Sequence, residues 1–522
     1  MSARVISTMC WQRRHLAGGR EGVPPSLLRA RRPHRQPPGR RRCKFASWVL
    51  TCPPFRPHNS CVSQPTRSHP RSPVFRRSFK KTFPAAVRGE GALLWDSEGK
   101  QYLDLSGSAA VNLIGHGVRE IADAMSEQAR ALEFVHTSQF TTPVAEEYAR
   151  ELLEFAGESF RGGAVFFTCG GSEAVESALK LARQYQVEIG QKKRFQVFSR
   201  RQSYHGATLG ALAVSGNVRR REIYLPMVRE FEQVSLPYCY RCPYDCKNCG
   251  QQYAAELERA LAASKDEAAA FIFEPVSGAT LGGAVPPQGY VQEVAAICRR
   301  HGVLLIADEV MTGTGRTGRN FAVEHWDVVP DLIVTAKGMS SGYAPLGAVI
   351  ASPRVVDAIA SGSGSFTHGF TYNAHPISVA VGRAVLRRIG EHKLVQTASQ
   401  QGTAGAALKS ALQGLRDVPS VGDVRGIGLL WGVEFVADRK TKQPYPMELN
   451  FAGRVGQAAV ARGLLVYPMQ GCVDGYSGDH LLIAPPAVIS PEQITWATEQ
   501  LRAAIDQATN SIHHRDTEAP RK

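Results

Sequence analysis

Three short stretches carry residue types that could do chemistry together. In 335-TAKGMSSGYAPLG-347, Lys337 is the one charged side chain among glycines, serines and turn formers. The run 332-LIVT-335 before it has the composition of a short buried strand. An amine at the end of such a strand sheds its proton readily, because desolvation lowers its pKa. A neutral amine is a nucleophile toward an aldehyde. The ordinary alternative is a surface lysine that snorkels to water.

The second stretch is 303-VLLIADEVMTGTGRTG-318, where an apolar run ends in Asp308 and Glu309. A buried carboxylate is costly unless something cationic meets it. Asp308 is the better candidate to point into a site, and capping the next turn is its alternative role. A further acid, Glu274, follows the apolar run 271-FIF-273. The third stretch is 168-TCGGSEAVES-177, where the strand-like 164-AVFF-167 gives way to two glycines, a hydroxyl and a helical pattern. A helix N-terminus offers unpaired N–H groups and partial positive charge, and glycine lets a phosphate approach the backbone. Gly171 and Ser172 are the candidate ligands, with a plain capped helix as the alternative. The motif is neither G-x-G-x-x-G nor a Walker loop, so it does not imply a nucleotide.

An anion cradle, a buried carboxylate and a Schiff-base lysine suit pyridoxal 5'-phosphate. The phosphate docks at the helix, the aldehyde condenses with the lysine, and the acid faces the ring nitrogen. A carboxylate ~4 Å from that nitrogen contributes on the order of 4 kcal/mol at an effective dielectric near 20. That is about three pKa units, enough to keep the ring protonated.

The elements that must position these groups alternate. Apolar runs at 164–167, 271–273, 303–307 and 332–335 are separated by helical patterns, which predicts a mostly parallel α/β sheet. Ligands in such sheets bind beyond the carboxyl ends of the strands. The glycines, Glu274, Asp308 and Lys337 all fall there. Upstream, 87-VRGEGALLWDSEGKQYLDLSGS-108 reads as a hairpin turning at 96-DSEGK-100, and 118–134 and 143–156 have helical periodicity. Residues 376–510 alternate less regularly and suggest a second, smaller domain.

The 522 residues carry a net charge of +16. All of it sits in residues 1–79, which hold 17 basic residues, one acid and 11 prolines; the remainder has 45 residues of each sign. The body therefore has no electrostatic footprint for nucleic acid. No apolar run is long enough to span a bilayer. The tail suits a transit peptide, a disordered extension or wrongly chosen start codon, or a nucleic-acid-binding arm; mitochondrial and cytoplasmic locations stay open, and a metal- or nucleic-acid-associated protein is the remote alternative. Cys239, Cys242, Cys246 and Cys249, in 239-CYRCPYDCKNC-249, form two CxxC pairs that could hold zinc. The gap between the pairs is short for a zinc ribbon, and a cysteine-rich insertion is the plainer reading. Cys169 and Cys298 read as core thiols.

Over residues 80–505 the chain resembles the class III, or ω-amino-acid type, aminotransferases of PLP fold type I. The motifs are 93-LLWDSEGKQYLDL-105, 170-GGSEA-174, 204-YHG-206, 273-FEPVSG-278, 308-DEVMTGTGRTG-318, 335-TAKGMSSGYAPLGA-348 and 369-GFTYNAHP-376. The resemblance implies a large domain (131–370) whose mostly parallel sheet is flanked by helices. It also implies a smaller α/β domain built from 80–130 and 371–510, between tails at 1–79 and 511–522. It implies catalysis by Lys337, as the amine that binds the cofactor aldehyde and moves the proton, and by Asp308 at the ring nitrogen. Gly171 and Ser172 would bind the phosphate. Tyr204 and Val310 would cover the two ring faces, His205 would support the Tyr204 loop, and Glu274 would order the network near the ring hydroxyl. Thr371 would reach the phosphate of a neighbouring subunit, implying a homodimer with shared sites.

The implied reaction moves an amino group from an amine or ω-amino acid to a keto acid or aldehyde by ping-pong chemistry. Decarboxylating transaminases and aminomutases use the same scaffold. The chain departs from ornithine- and GABA-type members at Met311, where they place glutamine, and at Ala279, where they place a glutamate that pairs with a switching arginine. The stretch 467-YPMQGCVDGYSGDHLLIAPP-486 has no arginine for that role. This speaks against glutamate or 2-oxoglutarate and toward pyruvate, glyoxylate or a carboxylate-free amine. Arg316 and Arg319 are the remaining carboxylate-binding candidates, with turn stabilisation as their alternative role.

Overall fold

A computed structural model describes residues 73–245 and 247–518. The chain divides into two units, Met1–Ser63 and Gln64–Lys522, and the described residues all belong to the second. Most of the basic tail and Cys246 lie outside them.

The centre is a seven-stranded sheet. Its strands are β1 (Ala164–Thr168), β2 (Gln196–Arg200), β3 (Gln233–Val234), β4 (Ala268–Phe273), β5 (Leu304–Asp308), β6 (Leu332–Thr335) and β7 (Gly347–Ala351). Their spatial order is β1-β7-β6-β5-β4-β2-β3. The pairs β6–β5, β5–β4, β4–β2 and β2–β3 are parallel, and β7 runs antiparallel to both β6 and β1. The four apolar runs singled out in the sequence are thus four of its strands. All six residues of β4 are buried, as the continuous apolar run of a strand covered on both faces requires. Alternate side chains enter separate cores. Ala270 and Ile272 pack with Ala174, Val175 and Ala178 of helix α1 (Gly171–Glu188). Phe271 and Phe273 pack with Leu257, Val294 and Ile297 on the opposite side.

Two four-stranded sheets accompany it. Leu93–Asp96 pairs antiparallel with Gln101–Asp104, as the hairpin pattern predicts. Ala86–Glu90 adds to one edge of this hairpin, and Leu464–Leu465 joins the other in parallel, through Leu464 opposite Leu103. The third sheet is antiparallel, in the order Val421–Ile427, Leu430–Phe435, Asp479–Ile483, Tyr467–Gln470. Helices occupy Arg119–Ala131 and Pro143–Ala156. The second begins at Thr142, whose hydroxyl accepts from Ala145 N at 3.3 Å, with Pro143 in the first turn where a missing N–H costs nothing. The last helix spans Pro491–Glu518. No described helix is long and apolar enough to cross a membrane.

Candidate active site

A cavity of about 280 Å³ opens at the carboxyl edge of the central sheet. Gly171, Ser172, Tyr204, His205, Glu274, Asp308, Val310 and Lys337 all line it. Register explains the convergence. Asp308 is the last residue of β5, opposite Val334 of β6, and Lys337 lies two residues beyond β6. Glu274 directly follows β4. The turn after β1 comes to the same edge because β7, antiparallel to both neighbours, sets β1 in the direction of β6.

The carboxylates are held from several sides. Asp308 is buried; its Oδ2 lies 2.7 Å from His205 Nδ1, and its Oδ1 accepts from Val310 N at 3.1 Å. Glu274 is buried and accepts from Tyr204 N at 3.2 Å and Gly278 N at 3.1 Å. Burial pushes its pKa up, the nearby His205 opposes this and the Asp308 charge adds to it. Arg200, itself buried, donates to the Glu274 carbonyl oxygen. Nothing in the sequence around Arg200 set it apart, because an arginine ending a strand is usually exposed.

Lys337 has a left-handed backbone, with φ of 45°. For a side chain other than glycine this costs of order 1–3 kcal/mol, and such strain concentrates at functional sites. Desolvation pulls its pKa down to about 8, against the attraction of Asp308 and Glu274; the cations Arg316 and Arg220 lower it further. The small residues around it serve packing: Ser341 Oγ accepts from Leu113 N at 2.8 Å and Ile114 N at 3.1 Å, tying the lysine loop to the N-terminal segment.

The anion cradle is built by close approach. A Cβ on Gly171 would sit 3.0 Å from Val310 Cγ1, so any larger residue would press on that side chain. Gly206 has φ of 139°, and a Cβ there would lie 2.7 Å from Ser172 Oγ. Ser172 Oγ accepts from Ala207 N at 3.0 Å, locking the 204-YHG-206 loop onto the start of α1. The hydroxyl proton remains available for an anion. First-turn amides, a free hydroxyl donor, a buried acid and a depressed amine are a donor set that fits pyridoxal phosphate.

Thr371 lies in an exposed turn outside this cavity. Arg316 is fully buried and donates to the carbonyls of Asn112 (2.7 Å), Ala484 (3.1 Å) and Pro485, so its hydrogen bonds are spent on the fold. Arg319 lines a different hollow, beside Thr317 and Gln400. Met311 and Ala279 join Val276, Leu430 and Leu482 in one apolar cluster, with Tyr467 and Met469 against it. The two departures from the ornithine and GABA pattern therefore form one apolar patch. Of the cysteine set, Cys239 is exposed, Cys242 half-buried and Cys249 buried. Among the described residues no group of three or more His, Cys, Asp or Glu is placed to hold a metal.

The model of the class III aminotransferases matches residues 74–505. The chain belongs to this family. As a class III aminotransferase it uses pyridoxal phosphate and has the PLP type I fold. It is 40% identical over 420 residues to the uncharacterized aminotransferase YodT of Bacillus subtilis, covering 80% of this chain and 94% of that one. It is 32% identical to the mitochondrial gamma-aminobutyrate transaminase 1 of Oryza sativa subsp. indica, covering 92% of each. It superposes on the (S)-enantioselective omega-transaminase of Thermomicrobium roseum with a TM-score of 0.78 at 36% identity, covering 84% of this chain and 96% of that one.

Proposed function

We propose that the amino transfer is carried out by Lys337 and Asp308, with Gly171, Ser172, Tyr204, His205, Glu274 and Val310 holding the cofactor. The observation that carries this reading is the meeting of a pKa-depressed lysine, a buried acid and a glycine-lined helix N-terminus in one cavity. Pyridoxal phosphate, when bound, supplies an aldehyde that condenses with amines and a ring that takes up the electrons released when a substrate C–H bond breaks.

The chain supplies the rest. First-turn amides of α1 and the Ser172 hydroxyl would receive the phosphate. Tyr204 and Val310 would take the two ring faces. Asp308 would meet the ring nitrogen, with His205 keeping that carboxylate in place. Lys337 Nζ is neutral over part of the population at neutral pH, so it can take a proton from substrate carbon and return it.

The amino donor gives up its amino group in one half-reaction and the acceptor takes it in a second. The apolar patch around Met311 and Ala279 speaks for a short keto acid such as pyruvate or glyoxylate as acceptor rather than 2-oxoglutarate. Thr371, in its exposed turn, is available to complete the phosphate site of a second copy, which supports a homodimer. The test is the visible absorbance of the cofactor-loaded protein, followed on adding single amines without any keto acid. Loss of the lysine-bound band with a particular amine identifies the donor class. A band indifferent to every amine contradicts the reading.

A further inference from the structure

Where the N-terminal segment reaches the cavity, its backbone turns against the normal hand. Gly107, Ser108, Ala109 and Ala110 have φ of 55°, 52°, 68° and 61° in succession. A left-handed turn brings each Cβ too close to the following carbonyl, and residues other than glycine adopt it singly rather than in runs. Three such residues in a row persist because the surrounding structure imposes them.

Both ends of the turn are anchored. At its start, the buried Asp104 accepts from Ser106 N at 3.1 Å and Ser106 Oγ at 2.7 Å through Oδ1, and from Ser108 Oγ at 3.0 Å through Oδ2. His116 Nε2 lies 3.4 Å from the same Oδ2. At its end, Asn112 N donates to Gly107 O at 2.9 Å, and Asn112 O accepts from Arg316 at 2.7 Å. Gly107 lies against the Ala484 carbonyl, where any Cβ would clash. The turn delivers two apolar side chains to the site. Ala110 packs with Val276 and Met311, which line the cavity. Val111 lines it directly and meets the lysine loop, where a Cβ on Gly342 would lie 3.1 Å from Val111 Cγ1.

We propose that Asp104 is a positioning residue for the reaction: it holds the Gly107–Ala110 turn in its strained form, which keeps Val111 forward as a wall of the cavity and limits the bulk of the amine admitted. This rests on the amino-transfer reading above. Asp104 is not among the residues that line the cavity, so it acts through Ser106 and Ser108. Freed of those bonds, the turn relaxes toward the right-handed or extended regions, and Val111 withdraws from its place beside Gly342.

The test uses methoxyamine and O-benzylhydroxylamine, which differ in bulk and displace Lys337 from the bound aldehyde whatever the natural donor is. Loss of the lysine-bound absorbance band gives a rate for each. Asp104→Asn keeps the shape but exchanges one acceptor oxygen for a donor. In it the ratio of the methoxyamine rate to the O-benzylhydroxylamine rate falls about tenfold, the scale on which a pocket discriminates by size. Ser108 is exposed, so Ser108→Ala leaves the core intact; the ratio falls about threefold there, as loss of one hydrogen bond predicts. Ser108→Asn, which tolerates positive φ and can still donate to Asp104, keeps the unsubstituted ratio. Ala109→Gly leaves every anchor in place and relieves strain, so the melting temperature rises by about 1–2 °C. An unchanged ratio in Ser108→Ala and in folded Asp104→Asn, or a lower melting temperature in Ala109→Gly, would overturn the proposal while the transaminase reading stands. Absence of the lysine-bound band in the unsubstituted protein would sink that reading and this proposal with it.

Discussion

His205 Nδ1 lies 2.7 Å from Asp308 Oδ2, and both side chains are buried. The contact joins two motifs 103 residues apart in sequence. It fixes the rotation of a carboxylate whose other oxygen accepts from Val310 N. Asp308 therefore cannot turn away from the cavity without breaking two hydrogen bonds.

Asp308→Asn removes the charge and keeps the shape. At an effective dielectric near 20 and a separation of ~4 Å, about 4 kcal/mol of stabilisation of the protonated ring is lost, or about 10³-fold in kcat. Single-turnover rates of the donor half-reaction check this. A loss under about tenfold would mean that Asp308 does not face the ring nitrogen.

His205→Leu removes the Nδ1 partner and leaves the Asp308 carboxylate less well held. A charge-assisted hydrogen bond is worth about 1.5–3 kcal/mol, so a loss of about 10- to 100-fold is expected, milder than in Asp308→Asn. The two effects should not add in the double variant, since His205 acts through Asp308. Additive losses would assign His205 a separate role.

Gly206→Ala places a Cβ 2.7 Å from Ser172 Oγ at a backbone φ of 139°. Gly99 provides the control: its φ is 81°, and an added methyl there meets no atom within 4 Å, so alanine brings strain without a clash. The expected cost at Gly206 is about 1–3 kcal/mol beyond that at Gly99, read by urea unfolding. Cofactor affinity should weaken as well, because the clash reaches the Ser172 hydroxyl proposed to receive the phosphate.

Capture of the cofactor by the apoprotein should depend on pH through Lys337. Burial sets its pKa at about 8. Below that value the amine is protonated and cannot attack an aldehyde, so the rate should fall about tenfold per pH unit; above it, the rate should level off. Stopped-flow absorbance from pH 6 to 9.5 checks the midpoint. A midpoint near the usual lysine value would show that Lys337 is not desolvated.

Much of this site was legible because its chemistry falls at strand ends. The apolar runs before Glu274, Asp308 and Lys337 reveal β4, β5 and β6, and the parallel α/β pattern places their carboxyl ends together. β2 and β7 were harder to read: 196-QVFSR-200 mixes polar with apolar residues, and β7 runs against its neighbours. The parallel pairing of Leu464 with Leu103 spans the chain and leaves no local pattern. Arg200 leaves no sequence signal, because an arginine reads as a surface residue until its burial is known.

Every role assigned around the cavity depends on Lys337 being the amine that binds the cofactor. Borohydride reduction of the pyridoxal phosphate-loaded protein, followed by peptide mass mapping, reads that bond itself. The reduced cofactor is expected on the peptide carrying Lys337, with no stable label in Lys337→Ala, whose turnover falls by at least about 10³-fold. Label on another lysine, with Lys337 unmodified, would contradict the assignment.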